Sequence, residues 1–410
     1  DGARFTDKAV TIATGVTAIG DYTITNSTPF LELEVVDNNL VLKEVEAIIS
    51  GDTEEASLTG NGANIISGGK ITSVFFAEKT NSADVIATKA SAGEIANLIG
   101  GAYATDGTAT TVTSVELDIA GEAEITDRVY AGGYLYGVKD AGAAAAAAQM
   151  TVGNVNVNLG GGKASGNVFG GAHTRQFGNA SVNSVSINVS GGTHGRVYGG
   201  GWAEGNSKNH VGAAVITISG GTVDYLYGGG ANADGTTTVG TTTITIENNA
   251  VVNTIFMGGR YGYSYVDTVN LTFADGAKEL KRLSGVSSAG MDYADATVVE
   301  LETNVTADLI DYVDKFVINE DCTLTANDAF YLGNRTAEGE TAGVTTFDFI
   351  AEGEANWTAV AGIDDFTNAK FAVNGAGLTD WDGSAAIEIG GYELTYDAKD
   401  KTIKLAQITA

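Results

Sequence analysis

Cysteine and proline are almost missing from this sequence. Cys322 stands alone, which rules out an intrachain disulfide, and Pro29 is the only proline. Basic residues are scarce as well: 22 Lys and Arg face 51 Asp and Glu, for a net charge of −29. A surface of that sign repels phosphate backbones and anionic lipid, so nucleic-acid binding and membrane attachment are disfavoured. No apolar run reaches the roughly 18 residues of a membrane span, and the tract Ala143 to Ala148 is too short, reading as an inserted loop or helical turn. Lack of disulfides does not exclude export, because stacked repeats draw their stability from one another. The chain opens on Asp1 with neither methionine nor apolar leader, as expected after removal of an export signal or after trimming.

What is present is glycine, 56 residues of it, at regular places. Phe169-Gly170-Gly171, Tyr198-Gly199-Gly200, Tyr227-Gly228-Gly229 and Phe256-Met257-Gly258-Gly259 set their aromatics 29 residues apart. A constant period of this length means one supersecondary unit stacked on copies of itself. Each copy reads as a strand, a Gly-Gly turn, a short strand, a second Gly-Gly turn and a variable loop. The first strand alternates apolar and polar residues, as in Val185-Ser186-Ile187-Asn188-Val189 and Ala214-Val215-Ile216-Thr217-Ile218. Ser190-Gly191-Gly192-Thr193 and Ser219-Gly220-Gly221-Thr222 follow, replaced in the next copy by Glu247-Asn248-Asn249-Ala250. Asparagine tolerates a positive φ better than other residues with a Cβ, so the backbone shape is what persists there. Val168, Val197, Leu226 and Ile255 centre the short strand and should point into the core, one above another.

Weaker copies extend the pattern both ways, to about eight in all. At ~4.8 Å between strands they would form a rod on the order of 40 Å long. The expected fold is all-β: a right-handed parallel β-solenoid (β-helix) of ~29-residue rungs, with β-rich caps at both ends. Leucine-rich repeats would need their Leu-x-x-Leu-x-Leu run, and propeller blades a longer period. Residues 1–60 lack the glycine pattern and read as a cap or small β subdomain. Residues 61–305 form the glycine-rich body. Residues 306–410 form a C-terminal β region ending in a hairpin, Tyr392 to Tyr396 against Lys401 to Leu405.

The array Ser-Gly-Gly-Thr followed by Val/Leu-Tyr-Gly-Gly-Gly resembles bacterial cell-surface β-solenoid proteins of the autotransporter-passenger and haemagglutinin-like adhesin type, over roughly residues 61–305. The resemblance implies export, an extracellular or cell-surface site, and adhesive or structural work.

Candidate chemistry is thin. Asp364-Asp365 and Asp380-Trp381-Asp382 are the carboxylate pairs a polysaccharide lyase or hydrolase would need, but adjacent residues in turn-like segments do not show convergence across a cleft. His173, His194 and His210 have no recognisable metal-ligand spacing, and no calcium nonapeptide or phosphate-loop sequence occurs. No cofactor or metal is expected. Cys322 reads as a small buried residue. Tyr134, Tyr136, Trp202, Tyr261, Tyr263 and Tyr265 lie just beyond the second turn of their copies. They either line up as a stripe for glycans or a neighbouring subunit, or pack locally over the glycines. The expected function is that of a secreted, non-enzymatic structural subunit, self-associating through its terminal strands into an extracellular fibre or layer. A glycan-binding surface adhesin is the alternative, and a polysaccharide-degrading enzyme the third.

Overall fold

The computed structural model describes residues 10–14, 31–36, 39–44, 49–58, 63–76, 82–105, 109–137, 149–288, 294–335, 341–352 and 356–408. The alanine tract Ala143 to Ala148 lies outside them. The fold is all-β, with no helix among the described residues. Leu31–Val36, Asn39–Glu44 and Val10–Thr14 form a three-stranded antiparallel sheet. From Thr53–Leu58 to Ala369–Val373 the stacked strands pair in parallel.

Three parallel ladders run side by side. The first takes Thr110–Ile119 and Gln149–Leu159, then the opening halves of Asn179–Tyr198 and Lys208–Tyr227, then Thr236–Ile246, Ser264–Phe273 and Ala294–Leu301. The second takes Glu124–Tyr130, Lys163–Phe169, the closing halves of the same long strands, Val251–Phe256 and Lys278–Ser284. The third is short: Ala102–Ala104, Gly133–Tyr136, His173–Arg175, Trp202–Glu204 and Ala231–Ala233.

The register follows the sequence period. Val168, Val197, Leu226, Ile255 and Leu283 pair in succession and are fully buried. Valine, isoleucine and leucine suit such columns because branched side chains pack well on a pleated surface. Each buried side chain of this size contributes roughly 1.5–3 kcal/mol of transfer free energy. A single apolar cluster extends from Ala56 to Leu405.

The two Gly-Gly turns have different causes. At Ser190 to Thr193 the strand does not break; it bends through a register shift, and Gly192 takes φ +79°. Asn248 adopts φ +48°, in the same left-handed region, as its identity suggests. The second turn needs glycine for space: a Cβ on Gly200 would lie 2.6 Å from the backbone nitrogen of Gly230, one copy on.

Parallel pairing continues past residue 305, with altered spacing. Val298 pairs with Lys315, Phe316 with Phe347, and Phe347 with Phe371. Repeat length therefore drifts while stacking persists, which is why the glycine period fades there. Tyr392–Asp397 and Thr402–Gln407 form an antiparallel hairpin, and its second strand pairs antiparallel with Asn356–Ala361. The chain thus covers that strand edge itself.

Candidate functional site

Strand alternation builds the site. Because Val197 points inward, Arg196 and Tyr198 point outward. The register repeats this choice. One outward column reads Asn97, Arg128, Asn167, Arg196, Tyr225, Thr254, Arg282. Two residues on, the next reads Ile99, Tyr130, Phe169, Tyr198, Tyr227, Phe256.

This second column forms an apolar cluster of its own, separate from the main core. From Tyr130 to Phe256 the ring centroids are 5.4, 4.4, 4.5 and 5.4 Å apart, and neighbouring planes lie within 17° of parallel. Offset stacks of this kind are worth about 0.5–1.5 kcal/mol per pair beyond burial. The third ladder covers the column from the side. Its members Tyr103, Tyr134, His173 and Trp202 are themselves in register. Tyr134 stacks on Tyr103 at 5.3 Å and meets His173 edge-on at 4.9 Å, while Trp202 meets Phe169 edge-on at 5.7 Å.

Arginine gathers on this cluster. The chain has seven arginines, and five of them, Arg128, Arg175, Arg196, Arg260 and Arg282, belong to it. Arg128 lies 5.7 Å from the Trp202 ring, Arg196 5.3 Å from Tyr225, Arg260 4.6 Å from Tyr261 and Arg282 5.0 Å from Phe256. Arg260 also donates through Nη1 to the Tyr198 hydroxyl at 3.4 Å. Glu204 accepts from Trp202 Nε1 at 2.9 Å, with Arg175 Nε at 2.7 Å and His173 Nε2 at 3.3 Å. These neighbours, the His173 N–H first, hold the Glu204 carboxyl down at about 2. Burial lowers the His173 pKa against the opposing pull of the Glu204 carboxylate, and Arg175 supplies the fixed charge. Burial likewise pushes the Tyr130, Tyr198 and Tyr227 phenols up.

The six aromatics singled out in the sequence divide. Tyr134 and Trp202 are half-buried parts of the stacked cluster, as local packing requires, and half-buried Tyr136 pairs in register with Arg175. Tyr261, Tyr263 and Tyr265 are 43%, 59% and 38% exposed. Tyr265 belongs to the first ladder, opposite Thr238, so the six do not share one stripe. The arginines were missed in the sequence, though a signal existed: Arg128-Val129-Tyr130 and Arg196-Val197-Tyr198 carry the same triplet at equivalent positions.

The other candidates take separate places. His194 is fully buried at a core position shared with Ala164, Val223 and Val252. His210 is exposed beside Thr238 at 2.8 Å. Among the described residues no group of three His, Cys, Asp or Glu could hold a metal. Cys322 is buried, and burial raises its thiol pKa. Asp364, Asp365, Asp380 and Asp382 do converge, lining a C-terminal cleft of about 870 Å³ with Phe366 and Trp381. Asp365 accepts from the Thr367 amide at 2.8 Å and Asp382 from the Ser384 amide at 2.9 Å, the bonds of turn carboxylates. The Thr367 amide lowers the Asp365 pKa, and the Ser384 hydroxyl, then its amide, lowers that of Asp382, the opposite of what a general acid requires. Asp364 pairs with Lys401. No protein-family model matches the chain, and neither does any curated protein or solved structure.

Proposed function

We propose that the chain is a right-handed parallel β-solenoid serving as an exported, non-enzymatic structural subunit of an extracellular fibre or surface layer. The observation that carries this reading is the in-register repetition of three parallel ladders. It supports a rod whose length is set by repeat number and whose flanks are free for contact. The right hand follows from the general handedness of parallel crossovers. Asp365 and Asp382 are engaged in turns and Asp364 with Lys401, which favours a structural over a hydrolytic role. The C-terminal hairpin occupies the edge of Asn356–Ala361, so end contacts at that side fall to the exposed strand Ala376–Thr379, where Leu378 is 59% exposed. Electron microscopy and sedimentation of the purified chain test the proposal. Fibres or sheets are expected, and a monodisperse monomer at high concentration would sink it.

A second, adhesive reading is favoured by Tyr261 and Tyr263. Both are exposed, and both hold left-handed backbone, with φ +68° and +60°. Strain of this kind at exposed aromatics is a feature of binding loops. Glycan-array binding that disappears in Tyr263→Ala is the expected result; an array blank for the native chain counts against it.

A further inference from the structure

The arginine distribution points to a ligand class. In a chain of net charge −29, chance would scatter seven arginines among the acidic side chains. Instead five fall on one longitudinal strip across six consecutive repeats, at the positions of Arg128, Arg175, Arg196, Arg260 and Arg282. At ~4.8 Å per repeat, the strip is about 24 Å long. Three of the five already face carboxylates from the chain itself, Arg128 with Asp127, Arg175 with Glu204 and Arg282 with Asp311. Among the described residues Arg196 and Arg260 have no ion-pair partner; each is held over a tyrosine ring that is itself exposed, Tyr225 at 39% and Tyr261 at 43%.

We infer that this strip binds an acidic polysaccharide of the uronate class, laid along the rod axis. The inference rests on the adhesive reading and gives it a ligand. A guanidinium fork matches a carboxylate in two parallel hydrogen bonds, and Arg282 with Asp311 shows that chemistry in place. Tyr225 and Tyr261 supply flat apolar faces for sugar rings beside the free arginines. A ligand repeating along its own axis suits a site repeating along the rod. A second copy of the chain suits it less, since two bodies of −29 repel. At physiological salt that repulsion decays over about 8 Å, so it does not bar a thin ligand from arginines on the strip itself.

The test uses the full chain and four probes of equal length: an oligogalacturonate, a heparin fragment, a neutral cello-oligosaccharide and a single-stranded DNA, titrated by calorimetry at two salt concentrations. The oligogalacturonate is expected to bind tightest. Arg196→Ala and Arg260→Ala should each weaken it about tenfold, and Arg196→Lys should recover only part of the loss. Lys163→Ala, paired with Glu124 at the opening of its strand, should change nothing. Circular dichroism melting separates lost binding from lost fold. Equal binding of heparin or DNA overturns the inference, because it reduces the strip to nonspecific charge. So does oligogalacturonate binding unchanged in both alanine variants. Binding of the neutral glycan alone overturns it while leaving the adhesive reading standing; silence from every probe ends both. Sedimentation showing self-association lost in Arg196→Ala would assign the strip to a second copy instead.

Discussion

Single side chains in this fold are judged against their counterparts one repeat away. His194 occupies a column otherwise filled by Ala164, Val223 and Val252. Its Nε2 is 2.9 Å from the Gly191 carbonyl, and its Nδ1 has no hydrogen-bond partner. An orphaned buried polar atom costs about 1–3 kcal/mol, so His194→Val should stabilise the protein by about 1 kcal/mol in urea unfolding. Burial also holds the His194 pKa below its ordinary value near 6.5. Below pH 6.5 the unfolded chain therefore binds the proton first, and stability falls as the pH drops towards the folded pKa; above 6.5 the contribution is complete. His173 acts in the same sense. His194→Val should flatten, without abolishing, the loss of stability between pH 6.5 and 5. Asn248 offers a second comparison. Asn248→Gly should be close to neutral, whereas Asn248→Val, with a branched Cβ at φ +48°, should cost about 1–2 kcal/mol.

At the level of strands and turns, the aromatic column and the second glycine turn depend on each other. The rings of Phe169, Tyr198 and Tyr227 come within about 4.5 Å only because successive backbones stack without offset, and Gly200 permits that approach. Gly200→Ala should cost about 1–3 kcal/mol by overpacking. Tyr198→Ala should cost about 3–5 kcal/mol, since it opens a cavity within a stacked column. Thermal melting followed in the near ultraviolet would report both. The strand positions were legible in the sequence because alternation and a fixed period encode them locally. The aromatic cluster was legible only as a turn marker: Tyr198 precedes a Gly-Gly pair, but nothing local says that its ring leaves the main core and joins a second one. The same gap hid Arg260, which is 62 residues from Tyr198 in sequence yet donates to its hydroxyl.

For the whole molecule, charge and capping oppose uncontrolled association. The net −29 sets up a repulsion between copies at neutral pH that the end contacts of a fibre must outweigh. Acidification through the carboxylate range should remove that barrier and promote assembly, visible as rising light scattering below about pH 4.5. The Arg175–Glu204 pair resists longer, because the Glu204 carboxyl titrates at about 2. Its contribution is present above the ordinary glutamate pKa and disappears as the pH falls towards 2. Removal of residues 390–410 should bare the edge of Asn356–Ala361, which Thr402–Gln407 now covers, and raise the aggregated fraction above that of the intact chain in size-exclusion chromatography.

Composition, period and alternation were enough to determine an all-β chain of parallel, stacked strands with Val168, Val197, Leu226 and Ile255 in one buried column, since those features arise from contacts between equivalent residues of neighbouring copies. Three matters waited for the tertiary structure: the continued pairing beyond residue 305, the grouping of Asp364, Asp365, Asp380 and Asp382 around one cleft, and the arginine strip along the stacked rings. Each joins residues that are remote in sequence or sit at unequal intervals. A periodic pattern specifies what recurs one repeat away; it carries no information about which outward faces meet once the chain has turned its corners.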